Sequence, residues 1–199
     1  MERTHLIHKI IRRIVIKYKK TESKLIPKQF GQCGKNVSVD YPIILSHPEL
    51  ITIGDNTTIL SNARIQLFPE LNGAGSLKIG ANCFFLHYLC ILVGDDITIG
   101  NDVLIASHVL ISSQNHGMDP ENEQPYMSQE LSCKKVVIED GCWIGERVCI
   151  NAGVHIGKKC VIGSGSVVTH DIPDYSIAVG VPAKIIKQYD FSRHEWIRL

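Results

Sequence analysis

Of the nine histidines in this chain, His116 has a setting the others lack. It stands in Ser112-Ser113-Gln114-Asn115-His116-Gly117-Met118-Asp119-Pro120, ahead of a polar run from Glu121 to Cys133. Asn, Gly and Asp suit a tight turn that fixes a ring. An imidazole titrating near neutrality can take the proton of an attacking hydroxyl, and Asp119 can hold the turn or orient the ring. The plainer interpretation of the same residues is a surface excursion. Other nucleophiles are poorly supported, because there is no G-x-S-x-G elbow. Cys33, Cys83, Cys90, Cys133, Cys142, Cys149 and Cys160 are odd in number and lack a zinc-like spacing, so they read as reduced packing residues. No Walker motif or dinucleotide fingerprint is present. His87 lies two places after Phe85 and His108 three after Ile105, so both are expected to point outward, into a pocket or into solvent.

What positions His116 is a repeat that breaks off just before it. Ile138, Ile144, Ile150, Ile156, Ile162 and Val168 fall every six residues, with Val136, Cys142, Val148, Val154, Cys160 and Ser166 two places before each. The step recurs upstream as Ile53, Ile59, Ile65, then Ile79, Phe85, Ile91, then Ile99, Ile105, Ile111. A six-residue step fits neither a helix nor a single strand. It fits short parallel strands stacked as a solenoid, three steps to a triangular coil, with glycines such as Gly145, Gly157 and Gly163 where the backbone bends beside an inward aliphatic. A solenoid tolerates a corner insertion because each coil needs only its neighbours, so residues 112–135 are free to wall a binding site. A turn is expected at 68–76, and Val93-Gly94-Asp95-Asp96 is expected to absorb a two-residue slip between Ile91 and Ile99. Val37, Val39, Ile43 and Leu45 suggest an imperfect first coil.

Composition bounds the rest. The chain has 199 residues, 44% of them apolar, with a net charge of +1, a size and balance suited to one compact unit. Charge is unevenly placed: seven Lys or Arg stand against Glu2 alone in the first twenty residues, leaving the remainder near −5. Nucleic acid is therefore not an expected partner. Lys9, Arg12, Arg13 and Lys17 break the early apolar positions, which argues against a signal peptide or a membrane span and for a cytoplasmic protein. Residues 4–19 read as an amphipathic helix, with Ile7, Ile11, Ile14 and Tyr18 on one face. Such a helix could cap the first coil, pack on a neighbour, or lie on the inner, anionic face of a membrane. A short helical tail is expected over 185–199.

Trp143-Ile144-Gly145, Asn151-Ala152-Gly153-Val154, Ile162-Gly163-Ser164-Gly165-Ser166-Val167-Val168 and Gly180-Val181-Pro182-Ala183-Lys184 resemble the closing coils of sugar and antibiotic O-acetyltransferases. With the repeat, they make the chain similar to the hexapeptide-repeat O-acetyltransferase family over residues 36–184. Its nearest likeness is to capsule, exopolysaccharide, lipopolysaccharide and maltose or galactoside enzymes. The resemblance implies an all-β, left-handed parallel β-helix assembled as a homotrimer. Residues 1–35 would form a helix and lead-in, 36–184 the catalytic domain, and 185–199 the tail. Asn-His-Gly-x-Asp-Pro is similar to the segment holding the family's catalytic histidine, with Gly117 where the sugar enzymes commonly have Pro.

The implied reaction is direct transfer from acetyl-coenzyme A to a sugar hydroxyl, with His116 as base and no metal required. Asn115, Asp119, His87 and His108 would orient the base or bind the acceptor. The donor groove would be lined by Gly141, Trp143, Asn151, Ala152, Gly153, Gly163, Ser164, Gly165, Ser166, Pro182, Ala183 and Lys184. A backbone N–H near Gly141 or Trp143 is the expected donor to the developing oxyanion. Other outcomes left open are antibiotic O-acetylation, amino-sugar N-acetylation, a metal hydratase of the γ carbonic anhydrase type using His87, His108 and His116, and a non-catalytic prism.

Overall fold

A computed structural model describes residues 2–70 and 75–199; the expected turn at 68–76 falls partly outside the described residues. The chain winds through six coils whose strands stack into three parallel faces. Face one is Gln32–Cys33, Ile51–Ile53, Leu77–Ile79, Ile97–Ile99, Val136–Ile138 and His155–Ile156. Face two begins Ser38–Val39, Thr58–Ile59, Phe84–Phe85, Leu104–Ile105, Trp143–Ile144 and Val161–Ile162. Face three is Ile43–Leu45, Ala63–Leu67, Cys90–Val93, Leu110–Ser112, Cys149–Ile150 and Val167–Val168.

Side chains alternate in and out along each short strand, so one inward aliphatic per face fills the prism. Every member of the six-residue series named above is buried, as are the residues two places before the later six. The register follows from this stacking: Ile105 pairs with Phe85 below and Ile144 above, and Ile111 with Ile91 and Ile150. The inward cysteines do more than fill space. Cys83 Sγ donates to the Gly100 carbonyl at 3.2 Å, Cys142 Sγ to Gly157 at 3.0 Å and Cys160 Sγ to Pro173 at 3.0 Å, tying each coil to the next.

Corners are built from residues that tolerate the left-handed conformation. Between faces one and two stand Asn36, Asn56, Asn82 and Asp102, each at φ 57°. Their side chains form a ladder, Asn36 to Asn56 at 3.0 Å, Asn56 to Asn82 at 3.2 Å and Asn82 to Asp102 at 3.1 Å. Among the described residues, the corner between faces three and one takes the excursions: residues 46–50, 68–70 with 75–76, 94–96 and 113–135 all lie at it. The slip between Ile91 and Ile99 is absorbed there, with Ile97 and Ile99 both buried and Gly94 to Asp96 forming the bend.

Both ends depart from expectation. The N-terminal helix α1 runs Glu2–Leu25, longer than residues 4–19, and its isoleucine stripe does not close the first coil. Ile26 and Phe30, in and after the short 3₁₀ turn Ile26–Gln29, are buried there instead. The C-terminal tail is not helical. Ser176–Gly180 continues face two in parallel, then Ala183–Asp190 and Glu195–Arg198 add to it antiparallel. The reason is the free edge that Ser176–Gly180 would otherwise expose, which an Ile- and Trp-containing segment can pair. Asp190 Oδ1 sets the reversal by accepting from Ser192 N at 2.8 Å and Ser192 Oγ at 2.6 Å. Tyr189 packs edge-on against Trp196 and Phe191.

Candidate active site

The excursion that carries His116 is a braced loop. Its stem is a two-residue antiparallel pair, Gln114–Asn115 against Ser132–Cys133. Ser113 anchors the base: it is fully buried, and its Oγ accepts from the amides of Gly94 at 3.0 Å and Asp95 at 3.1 Å while donating to the Asp95 carbonyl at 2.7 Å. The bend at Val93–Asp96, which the sequence marks only as a phase slip, is therefore the platform on which the loop stands.

Gln129 braces the upper part. Buried at 6% exposure, it accepts from Asp119 N at 3.0 Å through Oε1, and its Nε2 donates to the carbonyls of Asp119 at 3.0 Å and Gln124 at 3.1 Å. Gly117 fits because Gln129 lies against it: a Cβ built on Gly117 would sit 2.7 Å from Gln129 Cβ and 2.9 Å from the Glu130 carbonyl oxygen. A side chain at position 117 would therefore have to displace Gln129. Asp119 Oδ1 accepts from Glu121 N at 2.9 Å, so its carboxylate holds the turn. His116 and Asn115 are exposed to solvent, on a rigid support and free to meet a substrate. Nothing local in the sequence flagged Gln129, because its partners lie five to ten residues away.

The other expected residues fall into separate places along the prism. His87 and His108 sit at the corner between faces two and three, not at the corner that carries His116. His87 Nδ1 lies 3.2 Å from Ser61 Oγ. His108 stacks on Tyr88 at 4.7 Å with the rings 2° from parallel, both residues being left-handed. Tyr88, half exposed, is an aromatic surface that repeat counting passed over. Above this pair, Glu146, Arg147, Ser164 and Gly165 line an open cavity of ≈ 380 Å³. Ser166 is turned inward: fully buried, it donates to the Gly163 carbonyl at 2.6 Å and accepts from Gly180 N at 3.0 Å. Its place in a donor groove is thereby corrected to a structural one, since the hydroxyl is spent inside the coil.

Asn151, Ala152 and Gly153 lie at the corner of the His116 loop, with the Lys134 side chain against Gly153. Trp143 is exposed on face two between Leu104 and Val161. Ala183 and Lys184 open the antiparallel strand after Pro182, with Lys184 exposed. The expected oxyanion donors are taken: Gly141 N donates to the Asn101 carbonyl at 2.8 Å and Trp143 N to Cys160 at 2.9 Å. Both amides belong to the coil-to-coil ladder. Burial raises the pKa of Cys83, Cys90 and Cys149, and Cys142 is held up first by its hydrogen bond with Cys160 and then by burial. These thiols are kept protonated, which leaves them poor nucleophiles.

The outward sides of the faces differ. Face one presents Thr52, Lys78, Thr98 and His155, the last 3.2 Å from Glu139. Face two presents Ser38 and Thr58 in its first coils and then Phe84, Leu104 and Trp143, the last three exposed, while face three presents Ile44, Arg64, Cys90, Leu110, Cys149 and Val167. From the third coil upward, faces two and three thus turn mainly apolar side chains outward, and they flank the corner of His87, Tyr88 and His108.

Residues 135–170 match the sequence model of a family described as the hexapeptide repeat of succinyl-transferase. The galactoside O-acetyltransferase of Escherichia coli K12 is 32% identical over 175 residues, covering 87% of this chain and 72% of that protein. The putative lipopolysaccharide biosynthesis O-acetyl transferase WbbJ of the same organism is 34% identical over 165 residues, covering 79% and 82%. The crystal structure of the hexapeptide-repeat acetyltransferase VCA0836 of Vibrio cholerae, complexed with acetyl-coenzyme A, superposes with a TM-score of 0.61 at 31% identity, over 84% of this chain and 75% of that one.

Proposed function

The chain belongs to the hexapeptide-repeat acetyltransferase family, and from that premise we propose that it transfers an acetyl group from acetyl-coenzyme A to a hydroxyl of a sugar in a polysaccharide precursor or oligosaccharide. The observation that carries the proposal is His116, solvent-facing on a loop that Ser113 and Gln129 brace against the prism. As the acceptor oxygen bonds to the thioester carbon, the imidazole removes the hydroxyl proton; as the carbon–sulfur bond breaks, the same proton returns to the departing thiolate. Asp119 keeps the turn and so positions the ring. Asn115 is free to bind an acceptor hydroxyl.

The prism is left-handed and the working unit a trimer in this proposal. The apolar outward sides of faces two and three support the trimer, because a lone chain would leave them in water. Packing on those faces buries the His87–Tyr88–His108 corner between subunits, where it can meet a neighbour's His116 loop and enclose an acceptor that one chain leaves open. The expected result is a trimer by sedimentation velocity; a monomer at working concentration would sink this part. Residues 36–184 form the catalytic unit, and seven cysteines, odd in number and without a zinc-like spacing, suit a reducing, cytoplasmic setting.

For the donor, Trp143, Gly153, Ser164, Gly165, Pro182 and Lys184 are the exposed residues of the expected groove, and Arg147 beside the 380 Å³ cavity is a further cation for phosphate. Calorimetric titration with acetyl-coenzyme A is expected to show stoichiometric binding. No interaction with coenzyme A or its acetyl form would remove the enzymatic proposal in favour of a structural prism. A donor-consumption screen over sugar nucleotides, oligosaccharides and amino sugars then separates O- from N-acetylation by product analysis.

A further inference from the structure

α1 is 24 residues long, about 36 Å at the helical rise, and its attachment to the prism is at its last turns. There Tyr41 N donates to Ser23 Oγ at 2.9 Å, and the Tyr18 and Tyr41 rings meet edge-on at 5.5 Å. Beyond these contacts Ile7, Ile10, Ile11 and Ile14 share one face and are all exposed, Ile14 at 62%. Lys9, Arg12, Arg13 and Lys20 occupy the opposite arc, with Ile16 exposed among them, and Lys17 borders the apolar face beside Ile10. At the root of the helix lies a groove of ≈ 710 Å³ whose lining includes Lys19, Lys20, Lys24 and Lys28, with Asp40 the one acid among its lining residues. Among the described residues, none of these four lysines is in an ion pair.

We propose that α1 lies in the surface of an anionic lipid bilayer, its isoleucine face in the acyl boundary and the four-lysine groove at its root against lipid phosphates. An exposed apolar stripe on a strongly basic helix is the form that binds at such an interface. Long lysine stems reach past the apolar face to the headgroups. The charge distribution favours this occupant over a second copy. Pairing two α1 helices would bring eight basic side chains against eight, whereas an anionic surface attracts the helix and leaves the acidic remainder of the chain facing water. No described helix is long and apolar enough to cross a membrane, so the arrangement is peripheral. It would hold the His116 loop near an acceptor carried on a lipid. This assignment does not depend on the acetyl-transfer proposal, and its test needs no substrate.

The test is co-sedimentation of the full chain with phosphatidylcholine vesicles, with and without phosphatidylglycerol, at low and physiological salt. Binding is expected only to the vesicles containing phosphatidylglycerol and is expected to weaken as salt rises. Ile11→Glu with Ile14→Glu should abolish it. Lys20→Gln, Lys24→Gln and Lys28→Gln together should weaken it about a hundredfold, roughly fivefold for each charge. Thermal melting of both variants should match the parent, since none of these side chains is buried. Equal binding to neutral vesicles, or none to anionic ones, overturns the proposal. Unchanged anionic binding by the lysine variant removes the groove from it. A change in sedimenting species for Ile11→Glu/Ile14→Glu in the absence of lipid would place the stripe against a second copy instead.

Discussion

Replacing His116 by alanine is expected to lower the maximal acetyl-transfer rate roughly 100- to 10,000-fold, the scale of a lost general base. The fold and the donor affinity should survive, because the His116 side chain is exposed and accepts or donates none of the bonds that brace its loop. His116→Asn is the stricter companion, since it keeps a polar group of similar reach that is no base near neutral pH. Initial rates at saturating donor, beside calorimetric affinity for acetyl-coenzyme A, separate the two effects. A variant that acetylates at the parent rate would show that the base is another residue, with His87 and His108 next to be tested. A variant that loses donor binding as well would assign His116 to the groove.

Replacing Ile144 by Asp should prevent the chain from folding. Ile144 is fully buried between Ile105 and Ile162 in the stack of face two. An aspartate there places an unpaired carboxylate in a column with no room for water. The penalty is several kcal/mol or more, against a total stability of about 5–15 kcal/mol for an ordinary domain. Ile156→Asp tests the same point on face one, where Ile156 stacks on Ile138. Ile144→Val, which removes one methylene, should cost about 0.5–1.5 kcal/mol and leave a soluble protein. Near-parent melting temperatures for both aspartate variants would contradict the inward orientation of the six-residue series.

The two predictions rest on different depths of inference. Ile144 belongs to a periodic series, and a series is visible in one dimension because every coil repeats the same alternation of inward and outward side chains. His116 was visible for the opposite reason, as a lone histidine where the series stops, among residues suited to a turn. The donor groove was less legible. Gly163 to Ser166 match a motif as a string, but Ser166, two places before Val168 in the inward series, is buried while Ser164 and Gly165 face out, and its hydroxyl accepts from Gly180 N. Which amides near Gly141 and Trp143 are free was likewise not legible: whether an N–H is free depends on the carbonyl of the neighbouring coil, which for Trp143 belongs to Cys160.

By itself, then, the sequence determined the solenoid, its inward residues and the place where the His116 loop interrupts it, because aliphatic period and turn chemistry are local properties of the chain. Tertiary structure decided the rest. Stacking gathered excursions from four coils at one corner, set Ser113 under the amides of Gly94 and Asp95, and brought Gln129 against Gly117. It also put His87 and His108 on a different corner from His116. The C-terminal segment shows the same division. Ile185, Ile186, Trp196 and Ile197 mark it as apolar, but only the unpaired edge of Ser176–Gly180 made it a strand rather than a helix. Pairings between residues one coil or more apart depend on which backbone groups the neighbouring turn leaves unsatisfied, and that is set only once the coils have stacked.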